Sequence, residues 1–512
     1  MNNKKQPSVR ARMIPMRITP LLAFLALSTG LNAAVKLPAL ISDHMVLQQG
    51  KPVRIWGLAD PGESVSVSFQ GQSVNTKAAT NGKWEAWLKP LDAGGPLEMN
   101  INSTVIHDVL VGEVWLGSGQ SNMELTVQRA DNKDEEIAKA DYPSIHIFHV
   151  KRMVADEPAS DVQATWEVVT PTSIPGFSAV EYYFGRQLHQ TLKQPMGLIE
   201  SDWGGTPAQS WTSKPALMAD LGLKSYLDDW DKVLANYTPA TKEAYEQRLA
   251  TWQENAGKAR AAGTNPTPRP QPPQGPGHPN TPAGLYNAMI APLTPYAIRG
   301  VIWYQGESNA SEAHAYRYRR LFGAMIQDWR NRWGQGDFPF LFVQLPNYQT
   351  NGWWPVLRES QAETTRLNNV GMAVTIDVGD AKNLHPTNKQ DVAKRLVNVA
   401  LNMVYHQPVE YIGPTFQQLV NDGSQLRIYY THADGIGVKG GGTLTGFTIA
   451  GEDGKFVPAE AKIDGGTVVV SSAQVTAPVA VRYAWADAPE CNLVNAAGLP
   501  GTPFRSDEPH YN

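Results

Sequence analysis

At 512 residues the chain is too long for one ordinary core and divides into about three domains or subdomains. Its 42% apolar and 18% charged residues describe a folded globular protein and exclude a disordered one. Net charge is only −4, with lysines and arginines scattered. That balance excludes the basic footprint of a nucleic-acid binder and fits a small-molecule or carbohydrate partner.

The first residues differ in kind from the rest. Lys4, Lys5, Arg10, Arg12 and Arg17 precede the apolar run from Pro20 to Leu27, and small residues follow at Ala33-Ala34. Basic, then apolar, then small is the order of an export signal, and the apolar core is too short to span a bilayer. A signal peptide over 1–34 is therefore predicted, with an exported mature protein, periplasmic or secreted. No later segment reaches the roughly 18 uninterrupted apolar residues of a membrane helix, so no stable membrane insertion is expected. Cys491 is the one cysteine. It excludes an intrachain disulfide and any metal site built on cysteine, and it reads as a small apolar residue rather than a nucleophile.

From 35 to 107 the text is β-rich. Val53-Arg54-Ile55-Trp56, Ser64 to Phe69 and Trp84 to Leu88 read as strands, with Asp60-Pro61-Gly62 and Asn81-Gly82 as turns. From 108 to 214 apolar strand-like runs alternate with helical stretches, the pattern of an α/β domain with a mainly parallel sheet. Residues 215–284 read as an insertion, helical at first and then dense in Pro and Gly from Thr264 to Pro282. The α/β pattern resumes over 285–406. Residues 407–512 return to β character, with Leu426 to Tyr430 and Val468-Val469-Val470 as strand candidates.

The chemistry gathers at strand ends. Val109 to Leu116 is a buried-strand candidate and runs directly into Gly117-Ser118-Gly119-Gln120-Ser121. Glycines there permit a tight turn, and a serine opening the next helix projects its hydroxyl where backbone N–H groups bind an oxyanion. A serine at such a position also serves as a plain helix cap. The pattern is not the G-x-S-x-G elbow, because Asn122-Met123 follows. Of eleven histidines, His385 stands out: the strand candidate Ala373 to Ile376 runs into Asp377, Asp380 and His385-Pro386 on one loop. A carboxylate and an imidazole on one loop are what a Ser–His–Asp arrangement requires. The same His-Pro pair is also compatible with an ordinary helix entry.

Four blocks, Gly119-Gln120-Ser121-Asn122-Met123, Asp202-Trp203-Gly204-Gly205-Thr206, Trp303 to Asn309, and Gly379-Asp380 with His385-Pro386, resemble those of SGNH esterases in order and spacing. They look most like the bacterial sialate O-acetylesterase-like branch, as do Leu285 to Ile290 and the tail Gly498 to Arg505. The resemblance implies a flavodoxin-like parallel-sheet hydrolase domain with flanking β-sandwich-like regions. It implies a serine esterase with Ser121 as nucleophile, His385 as base and Asp380 as the acid. Many SGNH esterases place the acid three residues before the histidine, where Lys382 stands here, so Asp377 and a backbone carbonyl remain alternatives to Asp380. The Ser121 and Gly205 N–H groups with the Gln305 side chain would form the oxyanion hole, and Asn309 would share that role. Glu307 reads as a buried, hydrogen-bonded structural residue, and no metal or organic cofactor is implied.

Fifteen tryptophans is a high count, and aromatic faces stack on sugar rings, although most tryptophans pack cores. Trp353 and Trp354 lie in a loop beside Arg358, and these three are the candidates for substrate contact. The expected activity is removal of O-acetyl groups from acetylated sugars, either plant polysaccharide such as xyloglucan or sialic acids, through an acetyl-serine intermediate. Competing readings are a noncatalytic carbohydrate-binding protein and an SGNH lipase or thioesterase.

Overall fold

The computed structural model describes residues 1–8, 35–350 and 352–507. The apolar run and cleavage region of the expected export signal fall outside the described residues. The organising element is a single long strand, β1 (Thr104–Gly119), whose last eleven residues are all buried. Its first half pairs antiparallel with Gly94–Ile101, among the N-terminal strands. Its second half runs parallel between two strands of the central sheet. The chain thus passes from its N-terminal β region into the α/β domain inside one strand. The boundary expected at 107/108 therefore falls inside β1.

The central sheet contains, after β1, the strands β2 (Tyr142–His149), β3 (Trp166–Val169), β4 (Met196–Asp202), β5 (Gly300–Tyr304), β6 (Phe340–Val343) and β7 (Val370–Ala373). Their order is β7-β6-β5-β1-β4-β2-β3, parallel except for β3 at the edge. Without β2 and β3, the remaining five strands follow the doubly wound order 2-1-3-4-5, so the order reverses around β1. Strands buried on both faces need continuous apolar runs, which is why β4, β5, β6 and β7 are buried at every position.

Helices cover both faces. Trp115 packs edge-on against Phe184 of α2 (Ala179–Leu192) at 5.0 Å. On the opposite face Trp303 of β5 packs against Phe322 and Trp329 of α5 (Tyr318–Trp333). The insertion supplies α3 (Leu221–Asn236) and α4 (Pro239–Ala261), followed by irregular chain. α6 (Trp354–Glu363) precedes β7 and packs beside α5, and α7 (Lys389–Met403) follows it and packs beside α2. The C-terminal region forms two four-stranded sheets and a two-stranded one. The expected strands pair there as Leu426 with Val470 and Ile428 with Val468. Among the described residues no helix is long and apolar enough to cross a membrane.

Gly119 closes β1 at φ +144°, and a Cβ there would sit 2.1 Å from the Tyr304 carbonyl oxygen of β5. Only glycine lets the two strands approach this closely. Gly119→Ala is expected to cost about 2 kcal/mol or more of stability by overpacking and backbone strain. Comparing denaturation midpoints checks this, and an unchanged midpoint would contradict the packing.

Candidate active site

Each expected block stands at the carboxyl end of a central strand, in the crevice where the strand order reverses. That is where open α/β sheets hold ligands. After β1 the chain turns into the short helix α1 (Ser121–Glu124), placed between α2's sequence position and β1. The Ser121 Oγ lies 2.8 Å from Nε2 of His385, 264 residues away in the chain. With the ring proton on Nδ1, Ser121 donates and Nε2 accepts. Burial, followed by the charges of Lys389 and Arg129, holds His385 below its usual imidazole range, while Glu124 opposes the shift. The ring is therefore neutral at pH 7 and able to accept a proton.

The turn after β4 supplies the second wall. A Cβ on Gly204 would lie 3.2 Å from the Ser121 Cβ and 2.6 Å from Glu124 Oε2, so glycine alone fits beside the serine. The Gly204 N–H donates to the Glu124 carboxylate, which also pairs with Arg152 at 3.0 Å. Gly205 follows at φ +74° with open space at its Cβ position. Trp211 donates to Thr206 Oγ1 at 2.9 Å and packs edge-on against Trp303, tying this turn to the core. The N–H groups of Ser121 and Gly205 have no acceptor among the described residues. Two free donors thus flank the hydroxyl, as an oxyanion requires.

Asn122 links the three loops. Its Nδ2 donates to Glu307 Oε1 at 2.6 Å and to the Leu384 carbonyl at 3.0 Å, and its Oδ1 accepts from Lys389 Nζ at 2.6 Å. Burial lowers Lys389 to about 7, with Glu307 opposing the shift. Burial likewise raises Glu307. The expectation of Glu307 as an enclosed, hydrogen-bonded structural residue matches this geometry. The sequence alone does not single out Asn122 or Lys389: Asn122 stands inside a motif, and nothing marks Lys389 in a helix that carries other charges.

Several expected site residues stand elsewhere. Asp380 is exposed and its carboxylate accepts from the Lys382 N–H at 2.8 Å, because the loop folds back through an Asp380–Asn383 bridge. Asp377 is held by Arg395 at 2.6 Å and Lys439 at 2.8 Å. No described carboxylate oxygen comes within 4.0 Å of the His385 ring, and Ser121 Oγ is the ring's sole hydrogen-bond partner among the described residues. The geometry is a Ser–His dyad. Gln305 is fully buried: its Nε2 donates to Asn309 Oδ1 at 2.7 Å and Thr206 O at 3.3 Å, and its Oε1 accepts from Tyr318. That amide supports the turn and has no donor left for an oxyanion. Asn309 Nδ2 likewise donates to Gln209.

The expected substrate contacts are also corrected. Arg358 is fully buried and donates to the carbonyls of Leu345, Pro346, Ala486 and Asp487. Trp354 is 4% exposed and donates to the Pro346 carbonyl, while Trp353 is half-buried against the core. These side chains bolt α6 to the C-terminal region rather than lining a sugar site. Cys491 is half-buried, its thiol pushed up to about 11 by burial, which leaves it unreactive at neutral pH. Among the described residues no group of His, Cys, Asp or Glu side chains is placed to hold a metal ion.

A family model described as "Carbohydrate esterase, sialic acid-specific acetylesterase" matches residues 278–402. The chain is 30% identical to the sialate O-acetylesterase of Rattus norvegicus, over 97% of this chain and 98% of that protein. It belongs to the sialate O-acetylesterase family. The Mus musculus enzyme is also 30% identical, over 96% of this chain and 97% of its own. A solved carbohydrate acetylesterase from Xanthomonas citri is 34% identical with a TM-score of 0.79, covering 93% of this chain and all of that one. This member of the family is a carbohydrate esterase with the SGNH-type fold, which sets aside the noncatalytic reading.

The geometry around His385 can be tested by kinetics. Asp380→Asn is expected to keep kcat within about threefold of wild type, against the roughly 10⁴-fold loss typical when a triad carboxylate is replaced. Steady-state kinetics on an acetyl ester decides between them. The acid limb of kcat/KM should have its midpoint below 6.5, because a lowered base stays unprotonated further into acid. Lys389→Met removes a positive charge that depresses the ring, so the midpoint should move to higher pH. A pH–rate profile showing no shift, or a downward one, would contradict this coupling.

Proposed function

We propose that this esterase hydrolyses O-acetyl groups of acetylated sugars through an acetyl-serine intermediate. The observation that carries the reading is the 2.8 Å Ser121–His385 bond beside the two unsatisfied N–H groups of Ser121 and Gly205. His385 Nε2 takes the hydroxyl proton as Ser121 Oγ attacks the acetyl carbonyl carbon. The Ser121 and Gly205 N–H groups hold the resulting oxyanion. Collapse breaks the ester C–O bond, and the imidazolium gives its proton to the departing sugar oxygen. Water, deprotonated by His385, then attacks the acetyl-serine and releases acetate. In this reading Asn122 keeps the base in place through the Leu384 carbonyl, one residue before His385. Among the described residues no carboxylate orients the ring.

Acetylated sugars as substrate class are supported by the family and by relatives named as sialate or carbohydrate acetylesterases. Both acetylated plant polysaccharide such as xyloglucan and acetylated sialic acids lie within that class. The basic, apolar and small-residue order at the amino terminus supports action outside the cytoplasm. Ser121→Ala is expected to lower p-nitrophenyl acetate hydrolysis and acetate release from acetylated oligosaccharides by roughly 10⁴-fold or more. Circular dichroism and the unfolding midpoint should match wild type. Retained hydrolysis by a folded Ser121→Ala protein would overturn the proposal.

A further inference from the structure

Three carboxyl groups lie under the turn that carries Gly204 and Gly205, and the serine chemistry uses none of them. Glu200 and Asp202 alternate with Ser201 along β4, so both point to the α2 side of the sheet. There Glu200 Oε2 accepts from the Ser178 N–H at 3.0 Å. β1 sets Gly117 and Gly119 beside them in register. The missing side chains leave room for Glu181 of α2. A Cβ on Gly117 would lie 2.2 Å from Glu181 Oε2, and Glu181 Oε1 accepts from the Gly117 N–H at 3.2 Å. Glu181, Glu200 and Asp202 are each no more than 2% exposed.

The surrounding charges are too few to neutralise three carboxylates. Among the described residues, the cationic side chains facing them are Arg152, 3.8 Å from Asp202 Oδ1, and the exposed His149, 3.8 Å from Glu200 Oε1. Arg152 is already paired with Glu124 of α1 at 3.0 Å. Burial, followed by the Arg152 charge, holds His149 below its usual imidazole range, against Glu124. No N–H or O–H of the described residues donates to either Asp202 oxygen or to Glu181 Oε2. What Asp202 meets is the Glu200 carboxyl, and two carboxyls bond only when one of them keeps its proton. Burial first, and then the neighbouring carboxylates, hold all three groups well above the usual carboxylate range.

The cluster is tied to the oxyanion turn. Asp202 ends β4, and its carbonyl accepts from Arg152 Nε at 3.3 Å. The next residue, Trp203, donates its N–H to the Gly119 carbonyl at 3.2 Å. Glu124 holds the Gly204 N–H and shares Arg152 with Asp202. A second negative charge on the Glu200–Asp202 pair therefore repels Glu124 and competes for the arginine that holds it.

We propose that Glu200 and Asp202 share one proton, and that Asp202 is a positioning residue whose protonated pair seats the Gly204–Gly205 turn against Ser121. In alkali that proton passes to solvent hydroxide, the turn is unseated, and the Gly205 N–H is withdrawn from the oxyanion. The inference rests on the acetyl-serine reading above, which gives that N–H its role.

Rates of p-nitrophenyl acetate hydrolysis from about pH 5 to about pH 9.5, corrected for spontaneous hydrolysis, test it. Wild type should gain activity as His385 deprotonates, then lose at least about tenfold in kcat on the alkaline side, the scale of a displaced oxyanion donor. Asp202→Asn keeps the shape of the pair and replaces the shared proton with an amide N–H, so its profile should keep the acid limb and lose the alkaline one. Glu200→Gln should do the same, and it carries the test if the asparagine variant does not fold. A merely structural role for Asp202, or an alkaline limb set by Lys389, would leave that limb in place in both variants.

Stability gives a second readout that does not depend on catalysis. Carboxyls raised above their unfolded range stabilise fully below about pH 4 and lose that contribution as pH rises toward their folded values. The wild-type unfolding midpoint should therefore fall between about pH 5 and about pH 9, more steeply than that of Asp202→Asn or Glu200→Gln. A wild-type profile without an alkaline limb, a limb unchanged in the folded variants, or midpoints with the wild-type pH slope would overturn the shared proton's role. Failure of wild type to hydrolyse p-nitrophenyl acetate would instead overturn the serine chemistry, and the midpoints would still decide whether the pair holds a proton.

Discussion

The site depends on one buried amide. Asn122 follows the nucleophile and uses both ends of its side chain, accepting from Lys389 and donating to Glu307 and to the Leu384 carbonyl. An ionisable group buried without a partner is costly, and Asn122 is what lets a lysine and a glutamate share this enclosed space. The Tyr304 ring, 5.1 Å from Lys389 Nζ, adds a favourable face for the cation. The segment after β1 is thereby locked to two others, 185 and 267 residues further along the chain. Removing the amide would orphan both charged partners and free the loop that ends in His385. The base is thus held by its backbone from one residue upstream, where a triad would hold the ring by a carboxylate.

The sheet decides where this amide can act. Strand order reverses around β1, so the loops after β1, β4, β5 and β7 converge on one crevice. Close approach is written into the glycines. Gly119 lets β1 meet β5, and Gly204 lets the β4 turn touch the Ser121 Cβ. Glu124, one turn beyond the nucleophile, then fixes that turn from below through the Gly204 N–H and its pairing with Arg152. The Gly204 N–H is consumed by this bracing, whereas the Gly205 N–H has no acceptor among the described residues.

Much of this was readable in the chain. The strands at Ser64 to Phe69, Leu426 to Tyr430 and Val468 to Val470 were visible because alternation and β-branched residues report local structure directly. The mainly apolar run from Val109 to Leu116 announced a buried strand, and the Pro-rich stretch after Thr264 announced an insertion. Yet the limit expected at 107/108 falls within β1, because a composition change along one strand marks a change of neighbours rather than a break in the element.

Ser121 and His385 were legible as a pair because both stand in motif blocks at strand ends. Their 2.8 Å contact and the free N–H groups beside them were not. Asp380, Gln305 and Arg358 show why. Each has the right chemistry for its expected role, but Asp380 bonds its own loop, Gln305 is saturated by Asn309, Thr206 and Tyr318, and Arg358 is enclosed by four carbonyls. The sequence by itself determined which side chains were available, the strand-and-helix order, and the strand ends on which they sit. Only the tertiary structure decided which of their donors and acceptors stay free, since a polar group is used up by whatever the fold brings within about 3 Å. Partners such as His385, 264 residues from Ser121, are set by packing rather than by any local pattern.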